Sequence, residues 1–314
     1  MREELLEGIE EGDYIKIIEE DKEYIGILMP RHRFSGKDII TLKLDNGYNI
    51  GIKADHKTKV ELIEKKEKIE NGLKETINMN KDLPEITILG TGGTIASYVE
   101  YRTGAVHPAQ SAEDMLYSNP EIANRCYPKV DILFSKLSED LTPEDWVNIA
   151  DRISVELNNG SEGVVIAHGT DTIGYTAAAL SFLLEGLSKP VVLVGSQRSS
   201  DRPSSDAYLN LLGAVEVAKS ELTGVYVVMH DTISDDRCSI HKGTKIRKMH
   251  TSRRDAFQSI NTEPIGYVDP KSGKVDVGNC KIFNNRGSVC RRGRMESDVS
   301  LIYAYPGLKE KELK

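Results

Sequence analysis

The chain has 314 residues, 39% of them hydrophobic and 29% charged, with a formal net charge of -8. That length exceeds one average domain and suggests two or three units, the composition is that of ordinary soluble protein, and the negative total excludes a generic binder of phosphate backbones. Its four cysteines, Cys126, Cys238, Cys280 and Cys290, are too widely spaced for a zinc knuckle or a redox pair and read as buried or incidental thiols.

The N-terminus, MREELLEGIEEGDY, is acidic where a secretory signal would be basic and then apolar. No apolar run approaches the roughly 20 residues of a membrane span, so the expected location is the cytoplasm with no membrane contact. Residues 12–53 alternate with period two, giving strand candidates in YIKII, YIGILM and IITLKL, and Asn46-Gly47 is a strong hairpin signal. A small antiparallel β-barrel over residues 1–56 is expected. Residues 57–83 are dense in Lys and Glu and read as a charged linker or solvated helix at a domain boundary.

After Pro84 the pattern changes, because apolar runs now end in Gly-rich loops that lead into helical stretches. Strands are expected at Gly163–Ala167, 190–195 and Gly224–His230, with helices over 176–187 and around 207–220. The implied fold class is α/β: a doubly wound, mainly parallel sheet over 84–296 whose functional loops lie at the carboxyl ends of the strands.

Three of those loops are rich in polar groups. Gly90-Thr91-Gly92-Gly93-Thr94-Ile95-Ala96 follows a strand and lacks the third glycine of a dinucleotide-binding turn, which leaves a tight turn or a site presenting the hydroxyls of Thr91 and Thr94. His168-Gly169-Thr170-Asp171-Thr172 places a hydroxyl beside a carboxylate, a pairing that suits catalysis or a helix cap. Gly195-Ser196-Gln197-Arg198, with Ser205, Asp206 and Asn210 beyond it, fits capping and packing. Lys248 sits in an arginine-rich stretch, KIRKMHTSRRDAFQS, where a solvated lysine is the ordinary reading.

Taken in order, TGGTIAS, HGTDT, GSQR with Asp206 and Asn210, and KMHTSRRDAFQS resemble the successive signatures of the L-asparaginase/glutaminase family. The resemblance runs from about Pro84 to the C-terminus. It implies Thr94 as nucleophile, Tyr101 as the family's loop tyrosine, and Thr170, Asp171 and Lys248 as the second threonine, its aspartate and the catalytic lysine. Ser138 and Glu139 fall where the family binds substrate, Glu139 standing in place of a glutamine. A threonine hydroxyl needs a base to attack an amide, and a lysine serves as one only when neutral, which burial favours and a carboxylate opposes. The oxyanion would be held by backbone amides of the Gly-rich loop.

A small barrel ahead of such a domain resembles the GatD family, the asparaginase-like component of archaeal glutamyl-tRNA(Gln) amidotransferases. That resemblance implies a glutaminase, with asparagine as an alternative substrate, that passes ammonia to a GatE-like subunit and reaches tRNA through the complex. It implies no metal or cofactor on this chain, ATP and Mg on the partner, and a homodimer of the full-length chain within a heterotetramer. The alternatives are a stand-alone L-asparaginase with an accessory β domain and a non-catalytic scaffold or nucleotide-binding module. The basic stretches 237–254 and 286–294 read as ion-paired surface or as a face for the partner or tRNA. Residues 297–314 resemble the start of a second, truncated asparaginase domain, with a strand expected over 299–303.

Overall fold

The computed structural model describes residues 5–10, 13–19, 22–29, 36, 38–44, 49–65, 79–93, 95, 97–100, 105–108, 120–198, 204–278 and 287–313. The first sheet is built from β1 (Tyr14–Glu19), β2 (Lys22–Leu28), β3 (Ile39–Lys43), β4 (Asn49–Lys53) and β5 (Lys59–Glu64). Its order is β4-β3-β2-β1-β5 with every neighbouring pair antiparallel. Alternation along the strands gathers Ile15, Ile17, Leu28, Ile40, Leu42 and Ile52 into one core. The Asn46-Gly47 turn lies outside the described residues, while the strands flanking it pair with Lys43 opposite Asn49.

The sheet extends past the boundary expected at residue 56. Residues 59–64, read in the sequence as linker or helix, form β5, because Val60 and Leu62 alternate with charged residues and lie opposite Ile17 and Ile15 on the open edge of β1. The rest of that charged segment, 66–78, is outside the described residues.

The second unit begins with β6 (Glu85–Gly90), the hairpin of β7 (Ser97–Glu100) and β8 (Ala105–Pro108), and β9 (Tyr127–Ile132). There follow helix α1 (Pro143–Asn158), β10 (Gly163–Ala167), helix α2 (Ile173–Leu183), β11 (Leu184–Glu185), β12 (Pro190–Val194), helix α3 (Ala207–Ala218) and β13 (Gly224–His230). The remaining strands are β14 (Cys238–Lys242), β15 (Ile246–Lys248), β16 (Phe257–Ser259), β17 (Gly266–Asp269), β18 (Lys274–Val277) and β19 (Cys290–Arg291).

The main sheet runs β18-β17-β14-β13-β12-β10-β6-β9, parallel from β9 through β13 and antiparallel from β13 to β18. Both faces are covered, which is why its central strands read as continuous apolar runs. In β10, Val165 and Ala167 face the layer holding Leu211, Leu212 and Val215 of α3, while Val164 and Ile166 face Ile149 and Ile153 of α1 and Leu180 of α2. The parallel part has its topological switch between β6 and β10, since β9 lies on the far side of β6 and every later parallel strand lies beyond β10. Chain segments leaving the carboxyl ends of those two strands therefore meet over a crevice.

Residues 299–303 form no strand: among the described residues they join no strand ladder, and Val299, Leu301 and Tyr303 remain exposed, the Tyr303 hydroxyl meeting Arg247 at 3.3 Å. Cys126 and Cys238 are buried and Cys290 is exposed, whereas Cys280 lies outside the described residues. No helix among the described residues is long and apolar enough to cross a membrane.

Two buried imidazoles give this fold a pH signature. Burial pushes His168 and His241 down to about 4 from the usual 6.5. Between those values the unfolded chain binds protons that the folded chain does not, so their contribution is full above about 6.5 and lost as pH falls to about 4. Unfolding free energy from urea titrations should drop across that window, by on the order of 2 kcal/mol for each histidine. A flat stability profile from pH 7 to 4 would contradict the burial of neutral rings.

Candidate active site

The first two loops leave β6 and β10 at the same level, because Gly90 pairs with Ala167 at the strand ends. Their backbones touch. Gly93 has φ +78, and a Cβ there would lie 2.7 Å from the N and Cα of Gly169. Gly169 is confined in turn, since its own Cβ would fall 2.7 Å from the Cβ of Ser138. Glycine is needed at both places, in the first for its left-handed backbone and in both for close approach.

The segment carrying Ser138 is held by the start of α1. Thr142 and Asp145 form a reciprocal capping box with Pro143 between them, a signal present in the text TPED. Lys136 Nζ donates to both carboxylate oxygens of Asp145 at 2.7 and 2.9 Å. Thr172 Oγ donates to the Ser138 carbonyl at 2.6 Å, tying that segment to the second loop. Ser138 is buried with its hydroxyl 3.4 Å from Glu139 Oε2, and Glu139 is exposed.

Lys248 is the last residue of β15, which pairs with β16 through Lys248 opposite Phe257, so it belongs to a short ladder rather than to an open loop. Its side chain reaches the second loop, where Nζ donates to Thr170 Oγ1 at 2.8 Å and to Asp171 Oδ1 at 2.9 Å. Only 14% of the lysine side chain is exposed against 66% of the aspartate's, so the amine is presented from a sheltered position at the crevice edge. The three residues also line a cleft of about 480 Å³ with Tyr175, Ile246 and Tyr303.

Other hydroxyls of these loops are committed elsewhere. Thr91 donates to the Ala167 carbonyl at 2.9 Å, which fastens the first loop to the end of β10. Thr170 donates to Gln197 Oε1 at 3.3 Å while accepting from Lys248. Asp206 does not cap α3 with its side chain; its carboxylate accepts from the backbone amides of Gln197 and Arg198 at 2.9 to 3.1 Å. Thr94 and Tyr101 lie outside the described residues, although Gly93, which precedes Thr94 in sequence, is at the contact with Gly169.

Sequence reasoning passed over His168. It is buried, accepts at Nε2 from Thr176, whose hydroxyl also receives the Trp146 indole N–H, and donates from Nδ1 to the Gly169 carbonyl at 2.7 Å. This run of hydrogen bonds fixes the peptide just before Thr170. The signal was a histidine ending the apolar run GVVIA, where both faces of the strand are covered.

The basic stretches are internally paired at several positions. Arg237 pairs with Asp231 and lies over the Tyr267 ring, Arg253 pairs with Asp255, Arg254 with Asp235, Arg291 with Asp151 and Arg292 with Glu185. Among the described residues no group of three or more His, Cys, Asp and Glu is placed to hold a metal ion.

With this geometry in view, residues 85–281 match the family model described as Asparaginase, N-terminal, and residues 9–63 match the GatD N-terminal domain. The D component of the glutamyl-tRNA(Gln) amidotransferase of Pyrococcus furiosus is 51% identical over 307 residues, covering 96% of this chain and 70% of that protein. The protein of that name from Saccharolobus solfataricus is 47% identical over 302 residues, covering 96% and 68%. The solved thermostable L-asparaginase from Thermococcus kodakarensis is similar with a TM-score of 0.60 and 35% identity, over 73% of this chain and 66% of that one. A probable cytoplasmic L-asparaginase from Campylobacter jejuni follows with a TM-score of 0.54 and 34% identity, over 62% and 58%. The chain thus spans under two-thirds of the length of these solved asparaginases.

The meeting of Gly93 with Gly169 should be sensitive to a single methyl. Gly93→Ala combines a left-handed backbone with a clash against backbone atoms and is expected to cost about 1–3 kcal/mol. Chemical denaturation measures it, and an unchanged midpoint would mean that the two loops do not pack as described.

Proposed function

We propose that this chain, which belongs to the asparaginase family and within it to the GatD relatives, hydrolyses the side-chain amide of glutamine and supplies the ammonia for conversion of Glu-tRNA(Gln) to Gln-tRNA(Gln). The observation that carries this reading is the bridge of Lys248 Nζ between Thr170 and Asp171 at the switch point of the sheet. A sheltered amine held between a hydroxyl and a carboxylate can move protons beside a reacting centre.

In this reading Thr94 is the nucleophile and Tyr101 supports it from the same loop. The threonine oxygen bonds to the amide carbon, its proton passes to the Thr170–Lys248 pair and on to the departing nitrogen, and ammonia leaves an acyl-threonine. Backbone amides of the Gly-rich loop hold the oxyanion, as oriented donors stabilise charge without reorganising. Water then adds to the ester, gives its proton back along the same path to the threonine oxygen, and glutamate is released. Asp171 orients the lysine, while Ser138 and Glu139 bind the amino-acid end of the substrate, where a carboxylate can accept from an ammonium.

The first sheet closes as a small barrel that serves assembly rather than hydrolysis, and residues 84–296 form the catalytic unit. Support for closure comes from the single core shared by its strands. The partner is a GatE-like subunit that holds ATP and Mg, activates the glutamate on the tRNA and accepts the ammonia. The protein forms a homodimer within a heterotetramer in the cytoplasm, and tRNA is met through the complex.

Ammonia release from glutamine, measured alone and with the partner and Glu-tRNA(Gln), tests the reading. Release should rise when both are added, whereas asparagine turnover indifferent to the partner would favour a stand-alone asparaginase. Thr170→Ala and Lys248→Ala should each lower kcat by about 10³ or more, with the double variant little worse, because groups acting as a unit are not additive. Thr91→Ala and Thr172→Ala should lose much less. Wild-type turnover by Lys248→Ala would remove the lysine from the mechanism.

A further inference from the structure

Behind the Thr170–Lys248 pair a line of polar side chains runs from half-buried Gln197 to buried Asp206, Asn210 and His230. Thr170 donates to Gln197 Oε1, and the backbone amides of Gln197 and Arg198 donate to Asp206. Asn210 Nδ2 donates to Asp206 Oδ2 at 2.9 Å and to the Gly195 carbonyl at 3.0 Å. His230, the last residue of β13, meets Asn210 Oδ1 with its Nδ1 at 2.5 Å. Asp206 and Asn210 are fully buried and His230 is 1% exposed.

The direction of each bond follows from what it faces. The Asn210 nitrogen looks at two oxygen acceptors, so its carbonyl oxygen must be the atom toward His230, and the hydrogen between them belongs to His230 Nδ1. Burial holds His230 below the usual imidazole range, against the pull of Asp206 and Asp235. Its other nitrogen is 3.4 Å from Asp235, a carboxylate also engaged by Arg254. The firm contact of the ring is therefore the one made to Asn210. Without that donor, Asn210 Oδ1 keeps only the Cys238 thiol at 3.5 Å, leaving a buried carbonyl short of partners. The amide would turn to seek another partner and release Asp206.

Such a release would reach Thr170. Asp206 is the acceptor that holds the turn at Gln197, and the Gln197 side chain is the acceptor that directs the Thr170 hydroxyl hydrogen away from Lys248. With its hydrogen so directed, Thr170 offers a lone pair to the lysine. We propose that His230 is a positioning residue for the Thr170 hydroxyl, acting through Asn210, Asp206 and Gln197. The role deepens the amide-hydrolysis reading and rests on it for its catalytic consequence.

Two substitutions in the full chain separate this role from simple packing. Asparagine can place an N–H near the ring Nδ1 position, whereas leucine removes it. His230→Leu should lower kcat for glutamine about tenfold with KM changed by under about twofold, and His230→Asn should retain activity within about threefold. Hydrogen exchange at the Gln197 and Arg198 amides should accelerate in His230→Leu and not in His230→Asn. Combining His230→Leu with Gln197→Leu should cost no more than Gln197→Leu alone, since the path is already cut. Should the leucine variant not fold, His230→Gln, which fills the far nitrogen position but not Nδ1, takes its place.

Wild-type kcat together with unchanged exchange at Gln197 and Arg198 in the variant lacking the donor would overturn the proposal, as would full additivity with Gln197→Leu. If the wild-type chain released no ammonia at all, the amide-hydrolysis reading would fail, while the exchange measurement would still decide whether His230 holds the turn.

Discussion

The contact on which the rest of the site depends is that of two backbones, Gly93 on the segment after β6 and Gly169 on the segment after β10. Adjacent parallel strands are about 4.8 Å apart, so segments leaving neighbouring ends collide unless side chains are absent where they cross. Glycine on both sides removes the obstacle, and Gly169 is also closely approached by Ser138. The two threonine-bearing loops are in this way brought together by sheet order and by missing Cβ atoms before any polar contact is made.

Polar contacts then set directions within that frame. His168, neutral and buried, holds the peptide ahead of Thr170 from below, and Gln197 takes its hydroxyl hydrogen from one side. Lys248 arrives from the other side on a separate hairpin. Gln197 and Lys248, distant in sequence, thus converge on the Thr170 hydroxyl, while His168 holds the peptide that precedes it. A buried polar array is costly when partly satisfied, and among the described residues the buried side-chain nitrogen and oxygen atoms without a partner, His241 Nε2 and Arg152 Nε, both lie outside it.

Much of this was legible in the chain. Gly163–Ala167 and Gly224–His230 stand out because apolar runs buried on both faces have sharp ends. Helix α2 begins at Ile173 rather than 176, its N-cap Thr172 giving its hydroxyl to Ser138 instead of to the helix. Strand β5 was hidden by lysine and glutamate on its exposed face, and residues 299–303 have β-prone side chains but no partner strand among the described residues. The motif text singles out Thr170, Asp171 and Lys248, which the fold brings within hydrogen-bond distance, whereas the contacts of His168, Gln197 and His230 depend on strand order. No local pattern places β13 two strands from β10.

Acylation of a threonine on the first loop, beside the Thr170–Lys248 pair, is what the proposed hydrolysis requires. Treating the chain with a diazoketone analogue of glutamine and mapping the adduct by peptide mass spectrometry addresses it directly. About one adduct per chain is expected, carried by Thr94 and protected by excess glutamine. Ammonia release from glutamine with no adduct on Thr94, or with the label on another side chain, would contradict it.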